Sequence, residues 1–114
     1  MTTLYGIKNC DSVKKARSWL DKEGIDYRFH DVRVDGLTAE QVAAWLEQLT
    51  PEKLVNKRST TWKQLPEAEK TRVDRGEAIA LILQHPTLIK RPLLEHDGKS
   101  YTGFTAEQYQ NIFQ

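Results

Sequence analysis

The sequence holds a single cysteine, Cys10, among its 114 residues. One thiol cannot form an intrachain disulfide, and an unpaired cysteine suits a reducing compartment. Long hydrophobic stretches are lacking too. The longest strongly apolar segment, Ile79-Ala80-Leu81-Ile82-Leu83, falls far short of the roughly 20 residues that span a bilayer. Met1-Thr2-Thr3-Leu4-Tyr5 lacks the charged and apolar regions of a signal peptide. Neither sign of charge dominates: 17 basic and 16 acidic residues leave a formal net charge of +1. With no block of either sign, the electrostatic footprint of a nucleic-acid binder is missing. There is no Gly-rich phosphate loop, no internal repeat and no low-complexity tract. His30, His85 and His96 are scattered without metal-ligand spacing, so structural roles are expected of them. These absences predict a cytoplasmic domain with no metal, nucleic-acid or membrane partner. At this length residues 1–114 make one domain with its own core.

What is present gathers around Tyr5-Gly6-Ile7-Lys8-Asn9-Cys10-Asp11-Ser12-Val13-Lys14-Lys15. An apolar, β-branched run leads into it and a helical pattern leads out, so Cys10 is predicted at a strand-to-helix loop. The amides at a helix start have no intrahelical partner, and with the macrodipole they favour an anion such as a thiolate. Lys8, Lys14 and Lys15 act in the same direction and Asp11 against it. A free cysteine is often only a buried filler residue. Neighbours as polar as Lys, Asn and Asp favour the reactive reading.

Thr2 to Ile7 reads as a strand, with Gly6 allowing a turn or a close approach to the backbone. Ser12 to Glu23 reads as a helix with Val13, Ala16, Leu20 and the stem of Arg17 on one face, and Gly24 as its stop. Ile25 to His30 alternates apolar and polar residues, the period of a half-buried strand. Strand, helix and strand in this length form a βαβ unit. Asp35-Gly36 marks a turn, and Thr38-Ala39-Glu40-Gln41 has the form of a capping box, with Val42, Trp45, Leu46 and Leu49 following at helical spacing. Thr50-Pro51 and Leu65-Pro66 each place a proline at a helix start. Between them Asn56-Lys57-Arg58-Ser59-Thr60-Thr61-Trp62 is polar, rich in hydroxyls and without period. Asp74-Arg75-Gly76-Glu77 reads as another capping box, before a helix expected to bury Ile79, Ile82 and Leu83. That helix stops at His85-Pro86. Asp97-Gly98 between Leu93–His96 and Lys99–Thr102 is a two-residue hairpin signal. Thr105-Ala106-Glu107-Gln108 opens a last helix with Tyr109, Ile112 and Phe113 on one face. Trp19, Trp45 and Trp62 read as packing residues, with Trp19 at the border of a surface contact.

This order, with a thiol after the first strand and Arg91-Pro92 before the hairpin, resembles a thioredoxin fold: α/β, with βαβ and ββα halves, a mixed four-stranded sheet and a helical insertion at about residues 38–84. The stretch from Tyr5 to Lys14 and the stretch His85-Pro86-Thr87-Leu88-Ile89-Lys90-Arg91-Pro92 resemble the two signatures of the arsenate reductase (ArsC)/Spx family. Gly-Ile-Lys-Asn-Cys-Asp and Asn-Lys-Arg-Ser-Thr-Thr-Trp are most similar to its YffB-type subgroup. The resemblance implies that Cys10 is the catalytic cysteine and that Arg91 lies by its thiolate. It also implies that Pro92 is the cis-proline whose neighbouring backbone pairs with thiol peptides. Lys14 stands where arsenate reductases carry an arginine. Asn56 replaces a second oxyanion arginine, with Arg58 two residues on, and Gly103 stands nearest a third. Regulators of the Spx type often have a Cys-x-x-Cys switch; here its later position is Val13.

A lone nucleophilic thiol forms a mixed disulfide that a thiol from outside the chain must resolve. Glutathione is the cytosolic candidate, as co-substrate of a monothiol thiol/disulfide reductase acting on an unknown thiol, disulfide or oxidised substrate. Cys10 and Arg91 would be catalytic, with Lys8, Asn9, Asp11, Lys14, Arg58 and Pro92 binding substrate or glutathione. The alternatives are an Spx-like adaptor that binds a protein partner, and an arsenate reductase using Lys14, Arg58 and Arg91 as its oxyanion cradle.

Overall fold

A computed structural model describes every residue from Met1 to Gln114. In chain order its elements are β1 (Thr2–Gly6), α1 (Asp11–Lys22), β2 (Arg28–Asp31), α2 (Ala39–Gln48), α3 (Pro51–Leu54), α4 (Thr60–Gln64), α5 (Glu67–Asp74), α6 (Ala78–Gln84), a 3₁₀ turn (Pro86–Leu88), β3 (Leu93–His96), β4 (Lys99–Thr102) and α7 (Ala106–Ile112). They fall into two compact units: Met1–Asp31 with Arg91–Gln114, and Val32–Lys90. No helix is long and apolar enough to cross a membrane.

The first unit is a four-stranded mixed sheet in the order β2-β1-β3-β4. β1 runs parallel to β2 and antiparallel to β3, and β4 pairs antiparallel with β3. This is the thioredoxin-like arrangement expected. Alternation along the strands puts Leu4 and Leu94 on one face, where they form a core with Val13, Ala16 and Leu20 of α1 and Tyr109 of α7. Each fully buried aliphatic side chain stabilises by about 1.5–3 kcal/mol. Ile25, Tyr27 and Phe29 pack on this core at alternate positions, as their period demands, but the strand begins only at Arg28. The Ile25 amide is held by the Leu20 carbonyl at 3.0 Å, which keeps the first residues after α1 out of the ladder. Asp97 and Gly98, at φ 51° and 81°, turn β3 into β4 in the left-handed conformation that such hairpins need.

The second unit is a set of short helices. Thr38 opens α2 with both bonds of its capping box, and Val42 and Trp45 are buried beneath it. Pro51 takes the first position of α3, as expected. Pro66, extended at ψ 153°, instead precedes α5. The capping box expected at Asp74 does not form. Gly76 takes φ 79°, and the Glu77 amide returns to the Arg72 carbonyl at 2.9 Å. Asp74 therefore closes α5 rather than opening α6. The Glu77 carboxylate pairs with Arg72 and Arg75 instead of capping. The hydrogen bond from Arg72 to Glu69 pushes the guanidinium above its ordinary pKa, and Glu77 adds to it. Because α6 starts at Ala78, its buried residues are Ala78, Leu81 and Ile82, while Leu83 is exposed. The hydroxyl-rich stretch, without period in the sequence, is partly helical: Thr60–Gln64 forms α4, with Ser59 capping it through the Trp62 amide. Residues 54–56 and 88–90 clasp each other. Val55 bridges Ile89, and the Asn56 and Lys90 amides donate to the Leu88 and Leu54 carbonyls, each at 2.7 Å.

Candidate functional site

β1 ends at Gly6, and Ile7-Lys8-Asn9 carry the chain to Cys10, which is the N-cap of α1. Cys10 is half-buried and packs on the edge of the sheet unit's core. Its extended backbone, φ −102° and ψ 126°, and its carbonyl, which accepts the Lys14 amide at 2.9 Å, start the helix. No side chain caps this turn. Amides of an uncapped first turn, with the positive end of the helix dipole, form the setting that suits an anion. Around the thiol Lys8, Asn9, Asp11 and Lys14 are all exposed.

β3 begins directly after Arg91-Pro92, which are joined by a cis peptide bond. The register fixes where this pair lies. Tyr5 faces Leu93, and Leu93 faces Thr102. Arg91 and Pro92 therefore sit at the end of the sheet where β1 finishes and the Cys10 loop leaves. The Gly103 amide donates to the Pro92 carbonyl at 2.9 Å, tying the exit of β4 to the same corner. Arg91 is half-buried, and its Nε is buried without a hydrogen-bond partner. A buried donor left unpaired costs free energy, so this guanidinium is short of an acceptor.

Seven of the eight residues expected to serve the site thus belong to the sheet unit: Lys8, Asn9, Cys10, Asp11, Lys14, Arg91 and Pro92. Arg58 belongs to the helical unit. Its amide donates to the Asn56 side-chain carbonyl at 3.0 Å, and its side chain is exposed. Two of the hydroxyls beside it have structural partners. Ser59 donates to the Asn56 carbonyl at 2.7 Å, and Thr61 pairs with Thr87 at 2.8 Å. Two of the three histidines are engaged in packing. His30 lies against the Tyr5 ring, and His96 lies against Phe113 with a 2.8 Å hydrogen bond to Thr2. No group of three or more His, Cys, Asp or Glu side chains is arranged to hold a metal ion.

Two further features of this corner are less plain in the sequence. The Gly103 amide reaches Pro92 only through long-range strand pairing, so no local pattern announces it. Gly6, noted for a close approach, is met by Val13: a Cβ placed on it would lie 2.6 Å from Val13 Cγ2.

The profile of the ArsC family matches residues 5–112. A Haemophilus influenzae protein is 47% identical over 113 residues, covering 99% of both chains. The Bacillus anthracis global transcriptional regulator Spx 2 is 28% identical, covering 98% of this chain and 86% of the regulator. Among solved structures, a YFFB protein superposes with a TM-score of 0.92 at 40% identity, covering 97% of both chains. An arsenate reductase (ArsC) related protein from Brucella melitensis superposes with a TM-score of 0.76 at 47% identity, covering 99% of this chain and 94% of that one.

Proposed function

The chain belongs to the ArsC family, and from that premise we propose that it is a glutathione-dependent thiol/disulfide reductase with a monothiol mechanism. The observation that carries this reading is Cys10 itself, the sole cysteine, half-buried at the uncapped start of α1. The Cys10 thiolate attacks the glutathione sulfur of a mixed disulfide between glutathione and a substrate thiol. The S–S bond breaks, and the substrate leaves as a thiolate that takes up a proton. Cys10 is then disulfide-bonded to glutathione. A second glutathione thiolate attacks that disulfide, releasing oxidised glutathione and restoring Cys10. The net exchange consumes one free glutathione thiol: the substrate sulfur returns to the thiol, the two glutathione sulfurs leave joined as oxidised glutathione, and no second protein thiol is needed.

Arg91 and the first-turn amides stabilise the thiolate, and the unpaired Arg91 Nε supports that role. Lys8 and Lys14 meet the carboxylates of glutathione, with Asn9, Asp11 and Pro92 completing its contacts. Intact-mass measurement after incubation with oxidised glutathione tests the reading. One adduct is expected on the full chain, absent in Cys10→Ser and released by excess reduced glutathione. Absence of the adduct across the pH range overturns it.

A second reading draws support from the Spx 2 likeness along nearly the whole chain: an adaptor that binds a protein partner and does not use its thiol. Capture of RNA polymerase that survives Cys10→Ser, without glutathione turnover, would favour it. Arsenate reduction draws less support, because Asn56 and Gly103 stand where two oxyanion arginines are expected. Arsenate-dependent oxidation of glutathione is expected to be absent.

A further inference from the structure

We propose that Gly6 is a positioning residue for Cys10: the missing side chain lets Val13 seat the first turn of α1 directly on the end of β1, and this seat fixes where the thiol stands. The inference rests on the reading of Cys10 as a nucleophile.

Gly6 is not among the glycines with positive φ. It ends a strand whose backbone any residue can adopt, so the need for glycine here is one of space. The three atoms nearest a Cβ built on it all belong to Val13: Cγ2 at 2.6 Å, Cγ1 at 3.1 Å and Cβ at 3.5 Å. Val13 cannot swing away. It is wholly buried, and a β-branched side chain in a helix has one strongly preferred χ1. Close-packed interiors transmit such a clash instead of absorbing it. Gly6 is paired through its register with Asp31 of β2, which leaves the turn on the other side to move. That turn carries Cys10 at the N-cap, three residues before Val13. Restoring ordinary contact from 2.6 Å takes a displacement of about 1 Å, and an error of that size at a reacting group can cost on the order of a hundredfold in rate.

The same distances name the compensating change. Val13→Ala removes both Cγ atoms and leaves only the 3.5 Å contact, which is ordinary van der Waals packing. The test is a double-mutant cycle on the full chain. It is read as the rate at which Cys10 exchanges with dithiobis(nitrobenzoate), an aromatic disulfide that releases a coloured thiolate. Melting temperatures are recorded alongside, and rates are taken where every variant is folded. Gly6→Ala is expected to slow exchange about tenfold or more. Val13→Ala is expected to lower the melting temperature and to slow exchange less than Gly6→Ala does, because it loosens the seat without creating a clash. The double variant is expected to regain the wild-type rate despite its lower stability. A purely structural role would leave every folded variant at the wild-type rate and show only in the melting temperatures. A folded Gly6→Ala that reacts at the wild-type rate overturns the proposal, as does a double variant that stays slow. If Gly6→Ala does not fold, a double variant that folds and reacts normally supports the proposal, and one that does not fold overturns it. Dithiobis(nitrobenzoate) exchange is independent of glutathione. Loss of the glutathione adduct in wild type would therefore remove the reductase reading and leave the cycle to decide Gly6.

Discussion

In the sheet unit, the side-chain hydrogen bonds Thr2–His96 and Tyr5–Glu95 join residues 94 and 90 positions apart. In the helical unit most such bonds are local. Thr38–Gln41, Asn56–Arg58, Asn56–Ser59, Ser59–Trp62 and Glu69–Arg72 all close within three residues. The one unit takes shape only when the two ends of the chain have met. The other is built largely from small local devices, with the clasp of residues 54–56 on residues 88–90 and the Thr61–Thr87 bond as its long-range ties. Contacts distant in sequence slow folding and local ones speed it, so the helical unit is expected to gain order first. The candidate site belongs to the slower unit, since the β1–β3 ladder is what brings the exit of β1 before Cys10 and the Arg91-Pro92 entry to β3 to one end of the sheet.

The comparison predicts unequal penalties. Leu94→Ala, in the fully buried centre of the sheet core, is expected to cost about 2–5 kcal/mol in urea denaturation. A loss of only a few tenths would show that the long-range core is not what holds this unit. Thr38→Ala removes the oxygen that accepts the Gln41 amide at 3.1 Å. It should cost about 1 kcal/mol, with the far-ultraviolet helical signal falling slightly. A penalty as large as that of Leu94→Ala would erase the distinction between a local device and a distributed core. The smallest effect is expected at Tyr109. Its ring is packed against Trp19, Phe104 and Phe113, but its hydroxyl is buried without a partner. Tyr109→Phe keeps the ring and removes the orphan donor, so stability should hold or rise by up to about 1 kcal/mol.

Tyr109 also provides a pH test. Burial pushes its ionisation above the ordinary tyrosine range. Below about pH 10 both folded and unfolded chains keep the phenol proton, and the group adds no pH dependence. Above that pH the unfolded chain loses the proton while the folded chain retains it, so stability falls as pH rises. Alkaline denaturation should therefore be shallower in Tyr109→Phe than in wild type. Equal slopes would place the hydroxyl in contact with solvent.

The same contrast governs what could be read from the residues. The Thr38 capping box and the Asp97-Gly98 turn are local chemistry, and they stand as expected. At Asp74 the pattern was right and the outcome different, because Gly76 ended one helix before another could start. Leu81 and Leu83 are equally apolar, and only the starting residue of α6 decides which of them faces inward. The clasp of residues 54–56 on residues 88–90 joins distant backbone and has no side-chain signature. For the candidate site, the setting of Cys10 could be read from its neighbours. The unpaired Nε of Arg91 and the bond from Gly103 to Pro92 depend on strand register, which no short pattern carries.

That clasp has a consequence for how the chain can vary. Residues 55–89 form a loop whose two ends are already stitched together. The entropy of closing such a loop grows only with the logarithm of its length, by about 0.6 kcal/mol for each doubling. A few residues added at the exposed turn around Gly76 would alter the closure cost by far less than that. Length polymorphism within this loop should accordingly be tolerated, and the turn is a suitable place to graft a tag or a reporter peptide.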